Sequence, residues 1–172
     1  MANVLEKEQK LLNTLMMEMI AFDTADPKRI QHFLKVHSLA RLIAEEEGMD
    51  TKTKILIEAA ALVHSIAAIP AESKLGKSDP ATLEELGPDY AQDLLKEVGF
   101  SDDTTERVAC LVGHQHTFDN DTHSADHQIL IEAIYLVNLY ENRASNEEKH
   151  LALKNVFRSA TGTELLYMMY GM

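Results

Sequence analysis

The eight histidines of this 172-residue chain are the residues with the most chemistry to offer. Neutral imidazole binds metals, moves protons near neutrality and needs a partner when buried. His32 lies in RIQHFLKVHSLARLIAEEEG, where Val36, Ala40 and Ile43 or Ala44 follow at spacings of three or four on one otherwise apolar helix face. His64 stands near the end of an apolar run, in AALVHSIAAIP, and His114 and His116 flank Gln115 in LVGHQHTF near another helix end. Helix ends inside a bundle are where side chains from several helices converge. His32, His64 and His114 would make three neutral imidazoles, a set that suits zinc or another borderline divalent metal with water in an open position. The competing reading is a polar pocket in which these rings are satisfied by one another, by Ser65, by Gln115 and by water. His116 joins His114 at one point only if the chain leaves the helix there.

The remaining candidates offer less. His37, five residues beyond His32, points away from it toward the surface or a helix interface. His123, His127 and His150 lie in polar surroundings and read as solvated, although His127 begins a helix and can approach a pocket mouth. Lys74 and Lys77, in a loop-like stretch, are candidates to meet a phosphate group. Ser65 as a nucleophile needs a neighbouring base, and adjacent His64 is poorly placed for that on a helix. Glu45-Glu46-Glu47 reads as a solvated face, and no glycine-rich phosphate cradle is present.

Helices must position these groups, since no stretch alternates with period two. Residues 3–22 carry Leu5, Leu12, Leu15, Met16, Met19 and Ile20 at helical spacing. Asp26-Pro27 is a helix start, with Asp as cap and Pro at the first position, and that helix runs to about Glu47 before Gly48. Asp50 caps TKTKILIEAAALVHSIA, which is apolar on nearly every side and so central. From Ile69 to Gly87 periodicity weakens and Pro70, Gly76, Pro80 and Gly87-Pro88 predict a long connection with one helical turn near Leu83. Further helices are expected from Pro88 to Val98, Asp102 to about Gln115, about Ala125 to Asn142 and Asn146 to Ser159, with a short one in ELLYMMY. The expectation is one all-α domain spanning residues 1–172 with about six to eight helices.

Composition narrows the partners. At 45% hydrophobic and 26% charged the chain can bury a substantial core, and a formal charge of -12 disfavours nucleic-acid polymers and anionic membranes while leaving room for one small phosphorylated ligand in a local pocket. The lone Cys110 excludes an internal disulfide and, in an apolar run, reads as a small core residue. No segment reads as a leader or a membrane span, so the expected location is cytoplasmic. The methionine-rich ends, TLMMEMI and LLYMMYGM, suit self-association into a homo-oligomer and core packing equally.

Over residues 26–142 these segments resemble the HD superfamily of metal-dependent phosphohydrolases. QHFLKVHSLARLIA supplies the first His as His32, AALVHSIA is similar to the family's AALLHDIG ending and supplies His64, RVACLVGHQHTF resembles its His-rich segment, and ILIEAIYLVNLYEN resembles ILVEADFLVN. The resemblance implies an HD-like helical bundle, with helices 3–22 and 146–170 packed on it. It further implies hydrolysis of a phosphate ester or nucleotide by water activated on a divalent metal such as Zn, Mn or Fe, held by His32, His64 and third-segment histidines. Two metal-ligand aspartates are replaced, one by Ser65 after His64 and one by Ile134. Gln115 takes the middle of the His-rich triplet, and Glu132, two residues before Ile134, faces elsewhere on its helix. A neutral hydroxyl and an alkyl group cannot replace carboxylates toward a hard cation, so metal affinity falls and activity is expected to be weak or lost. The alternative is a non-catalytic module that binds a small ligand or a protein on the same scaffold.

Overall fold

A computed structural model of the chain describes residues 2–117 and 124–172, of whose side chains those from residue 6 onward in the first segment are placed. Among the described residues there are nine helices and no strand: α1 (Ala2–Phe22), α2 (Pro27–Glu46), α3 (Thr51–Val63), α4 (Ala68–Leu75), α5 (Pro80–Val98), α6 (Asp102–Val112), α7 (Ala125–Glu141), α8 (Asn146–Asn155) and α9 (Ala160–Tyr170). Their starts follow from the local sequence. Asp26, Asp50, Asp79, Ser101, Ser145 and Ser159 each accept a hydrogen bond from a backbone amide of the first turn they precede. Gly48 and Gly99, at φ +70° and +103°, end α2 and α5 in the left-handed region.

Helix α3 is the axis of the molecule, with every residue from Leu56 to Val63 buried. It packs against α1, α2, α6 and α7, and α2 lies along α7. Its extension through α4, Thr51–Leu75, reaches a mean hydropathy of 1.6 over 18 residues, enough by composition to cross a bilayer, so the expectation that no segment would reach that level is corrected. Most of that window, 72%, is buried against the other helices, as a core helix requires.

The segment from Ile69 to Gly87 departs from the expected long connection. It forms α4 and the first half of α5, leaving only residues 76–79 between them. Pro80 occupies the first turn of α5, where its missing amide costs nothing, and Asp79 caps it. The Gly87-Pro88 pair lies inside α5 rather than before it. A Cβ at Gly87 would stand 2.6 Å from Val112 Cγ1, and one at Gly113 3.0 Å from the Pro88 ring. Packing of α5 on α6 therefore pays for the proline's lost helix bond, and the pair works as a close-contact device instead of a breaker.

Candidate functional site

His32, on the second turn of α2, and His64, on the residue that ends α3, face one another at 3.0 Å between their Nε2 atoms. The proton positions follow from the partners of the other ring nitrogens. His64 Nδ1 lies 2.7 Å from the Ala61 carbonyl oxygen, which can only accept. His32 Nδ1 lies 2.7 Å from Glu141 Oε2 at the end of α7. Burial pushes the Glu141 carboxyl up, but hydrogen bonds from Lys35 and His32 outweigh it and hold the pKa below its ordinary value. An ionised carboxylate also only accepts, so both imidazoles donate from Nδ1 and both Nε2 lone pairs point at the same place. That arrangement calls for one positive charge between them, a proton or a metal ion. Burial opposes placing it on His64, whose pKa falls to about 3: desolvation comes first, the charge on His32 and on His116 adds to it, and the Ala61 carbonyl works against it.

His32, but not His64, lines a cleft of about 290 Å³ between α2, α4 and α7. Lys28, Arg29, Ser65, Ser78 and Glu141 line it with His32. Arg29 is held rigidly: its Nε donates to Asp26 Oδ2 at 2.8 Å and its Nη2 to Glu72 Oε2 at 2.6 Å, and Glu72 in turn accepts from Ser78 Oγ. Two of the five N–H groups of the guanidinium are thereby engaged, and three remain for an anion. Neither Arg29 nor Glu141 stood out in the sequence. Asp26-Pro27 places Arg29 in the first turn of α2, and Glu141 lies two helical turns beyond Ile134 on nearly the same face of α7, a spacing that could have marked it.

The third-segment histidines separate. His114 is exposed and its Nδ1 donates to the Cys110 carbonyl oxygen at 2.8 Å, away from the pair. His116 turns inward because α6 ends at Val112 and the chain leaves the helix, the condition under which it could reach the pocket. Its amide donates to Glu84 Oε1 at 2.6 Å; burial lowers the pKa of its ring, and the Glu84 carboxylate partly offsets this. Gln115 is buried and donates from Nε2 to the His64 carbonyl oxygen at 2.7 Å, locking this turn to the end of α3.

Lys74 and Lys77 do not line the cleft; Lys74 Nζ donates to Tyr90 Oη at 2.7 Å and Lys77 pairs with Asp79 at 3.0 Å. Ser65 is at the cleft, and Ile134 is buried in the core. His37 sits between helices, paired with Glu58 at 2.9 Å, and His150 is exposed. His123 lies outside the described residues. Two readings need correction. His127 is buried, not solvated, with Nε2 donating to the His114 carbonyl oxygen at 2.7 Å. Cys110 is exposed, not core, because the neighbouring Ala109 and Leu111 take the buried face of α6 and turn it outward beside Arg107.

The donor set decides how well a divalent metal fits. Two Nε2 atoms 3.0 Å apart match adjacent corners around a cation with bonds of about 2.1 Å, and the Glu141 and Ala61 contacts are the outer-shell partners that metal-bound histidines usually have. A third donor is missing. Ser65 is a neutral hydroxyl, Ile134 is apolar, and among the described residues no group of three His, Cys, Asp or Glu side chains could hold an ion. The residues present are half of a metal centre and do not fit a hydrolytic divalent ion.

Comparison with known proteins agrees with the fold. The family model for the HD domain matches residues 29–153, most of the chain. No curated protein matches. A crystal structure at 1.45 Å of a predicted HD superfamily hydrolase from an uncultured Thermotogales bacterium is similar, with a TM-score of 0.65 and 24% identity over 95% of this chain and 84% of that one. The class is that of all-α bundles, and this chain belongs to the HD domain family. The superfamily is a phosphohydrolase-type one and is generally metal-dependent.

Proposed function

We propose that this chain binds a small phosphorylated ligand in the cleft beside His32 and that metal-dependent ester hydrolysis in it is weak or lost. The observation that carries this is the pair itself: two Nε2 lone pairs aimed at one point at 3.0 Å, with Ser65 and Ile134 where carboxylate ligands would complete the ion's shell. A divalent ion needs that negative charge to polarise a phosphoryl group and acidify a water. What remains is a recess with a fixed guanidinium and, among the described residues, an unpaired Lys28, cationic donors that hold a phosphate without cleaving it. Fold alone does not carry activity, and here the site argues against it.

Elemental analysis of protein purified without added metal, followed by assays of simple aryl phosphate esters with manganese, tests the proposal. The expected result is metal well below one equivalent and no turnover above background, with inorganic phosphate bound and binding weakened by Arg29→Ala. Stoichiometric metal with turnover overturns it. Ser65→Asp combined with Ile134→Asp is expected to raise metal content toward one equivalent.

A further inference from the structure

The outward face of α2 carries a pattern that the bundle itself does not use. Lys35, Leu39, Leu42 and Glu46 recur at spacings of four, three and four, the seven-residue rhythm of a seam that packs on another helix. The core takes the other side of α2, through Phe33, Val36, Ala40, Ile43 and Ala44. Leu42 is 42% exposed, Glu46 is exposed, and Lys35 and Leu39 are half-buried. Beside the seam runs an apolar groove of about 290 Å³, lined by Leu39 of α2, the buried Leu136 and Val137 of α7, Tyr140 at the end of α7 and Met169 of α9. Tyr140 and Met169 are themselves exposed, at 70% and 46%. Single exposed apolar side chains are ordinary, but these gather around one groove with Leu42 on the helix face next to it.

The order of the seam residues says what covers them. Two leucines stand at the centre, a cation at one end and an anion at the other. A second copy of α2 laid antiparallel, about a twofold axis between residues 40 and 41, sets Leu39 against the partner's Leu42 and Lys35 against the partner's Glu46, and each contact occurs twice. A parallel copy would set like charges together. Both charged groups have capacity to spare. Glu46 makes no side-chain hydrogen bond or ion pair among the described residues, and Lys35 gives one of its three N–H donors to Glu141 Oε1 at 2.6 Å. The antiparallel register also brings the partner's Leu42 to the level of Leu39, the α2 edge of the groove, where it enters between Tyr140 and Met169. Two chains of charge -12 repel at long range, but that field is screened beyond about 8 Å at physiological ionic strength, whereas the seam charges meet in contact.

We propose that this face of α2, α7 and α9 is a homodimer interface, in which two copies of α2 pack antiparallel and Leu42 of each enters the groove of the other. Lys35 links the interface to the histidine pair, because Glu141 accepts from both Lys35 and His32.

Sedimentation velocity of the full chain at physiological ionic strength is the test, with a dimer expected at micromolar concentration. Leu42→Asp, at an exposed position, puts a carboxylate into each groove and should weaken the dimer about a hundredfold or more. Glu46→Lys opposes two cations at both ends of the seam and should weaken it about tenfold. A cation in the last turn of α2 suits the helix dipole, so this monomer keeps its fold, which circular dichroism checks. Lys35→Glu opposes two anions instead, with a similar loss. Mixing the two charge variants restores opposite charges at both ends, and a heterodimer of wild-type affinity is expected, a recovery that a merely structural effect of either change would not give. A chain that stays monomeric overturns the proposal, as does a dimer indifferent to Leu42→Asp or a mixture of folded charge variants that fails to associate. Binding of a monomeric wild-type chain to phosphatidylcholine vesicles, lost in Leu42→Asp, would give the face to a lipid surface and overturn it equally.

Discussion

Helix α7 carries two buried polar sites of opposite character. Near its middle, Glu132 is fully buried, and its Oε1 accepts from Gln128 Nε2 at 2.7 Å and from the amides of Arg158 at 2.6 Å and Ser159 at 2.8 Å, while Oε2 accepts from Ser159 Oγ. An added Cβ at Gly162 would overlap that carboxylate, so α9 starts against it with no space left. At its end, Glu141 serves a histidine pair in which acceptor meets acceptor. One site gives its carboxylate four donors and so joins α7 to the α8–α9 turn; the other leaves lone pairs converging on a point where only a ligand, a proton or a metal can answer them. Buried polarity that is matched holds a fold, and buried polarity that is mismatched marks the place of function.

Removing the matched site should cost most. Glu132→Ala strands two amides, a hydroxyl and a carboxamide inside the core, and urea unfolding is expected to show a loss of about 3 kcal/mol or more. A loss under about 1 kcal/mol would mean water enters and the contrast fails. The mismatched site should show itself through pH. His64 titrates near 6.5 in the unfolded chain and at about 3 when folded, so between those values the unfolded state binds the extra proton. Stability should therefore be constant above 6.5 as far as this group is concerned and fall as pH drops from 6.5 toward 3, by about 1.4 kcal/mol per pH unit for one proton. His116, also lowered by burial, acts in the same direction. His64→Leu should have the smallest effect: at pH 7 it should change stability by less than about 1 kcal/mol, since it removes one half of the lone-pair conflict, and it should flatten the acid slope. A large loss at pH 7 would show the pair to be a structural element like Glu132.

Much of the scaffold could be read from local chemistry. Asp26-Pro27, Gly48 and Asp50 act where their backbone preferences predicted, because caps depend only on neighbours within one turn. His32 and His64 were visible as imidazoles interrupting apolar helix faces, and they meet. Gly87-Pro88 misled because its cost is local while its compensation, the approach of Val112, is not. Cys110 and His127 were misplaced for a related reason: an apolar or polar stretch does not say which single residue in it faces the neighbouring helix. Glu132 was read as facing away from the site, which holds, yet its partners Arg158 and Ser159 lie 26 and 27 residues on and no pattern links them.

The sequence by itself determined the all-helical bundle, most helix starts, membership in the HD family and the absence of aspartate at positions 65 and 134, since each depends on residue type and short-range spacing. Only the tertiary structure decided that His32 and His64 share one point while His114 does not, that Glu141 and Ala61 fix both protons on Nδ1, and that Arg29 lines the same cleft as His32. Those facts turn on the rotation of each helix about its axis, which packing sets and no local preference encodes.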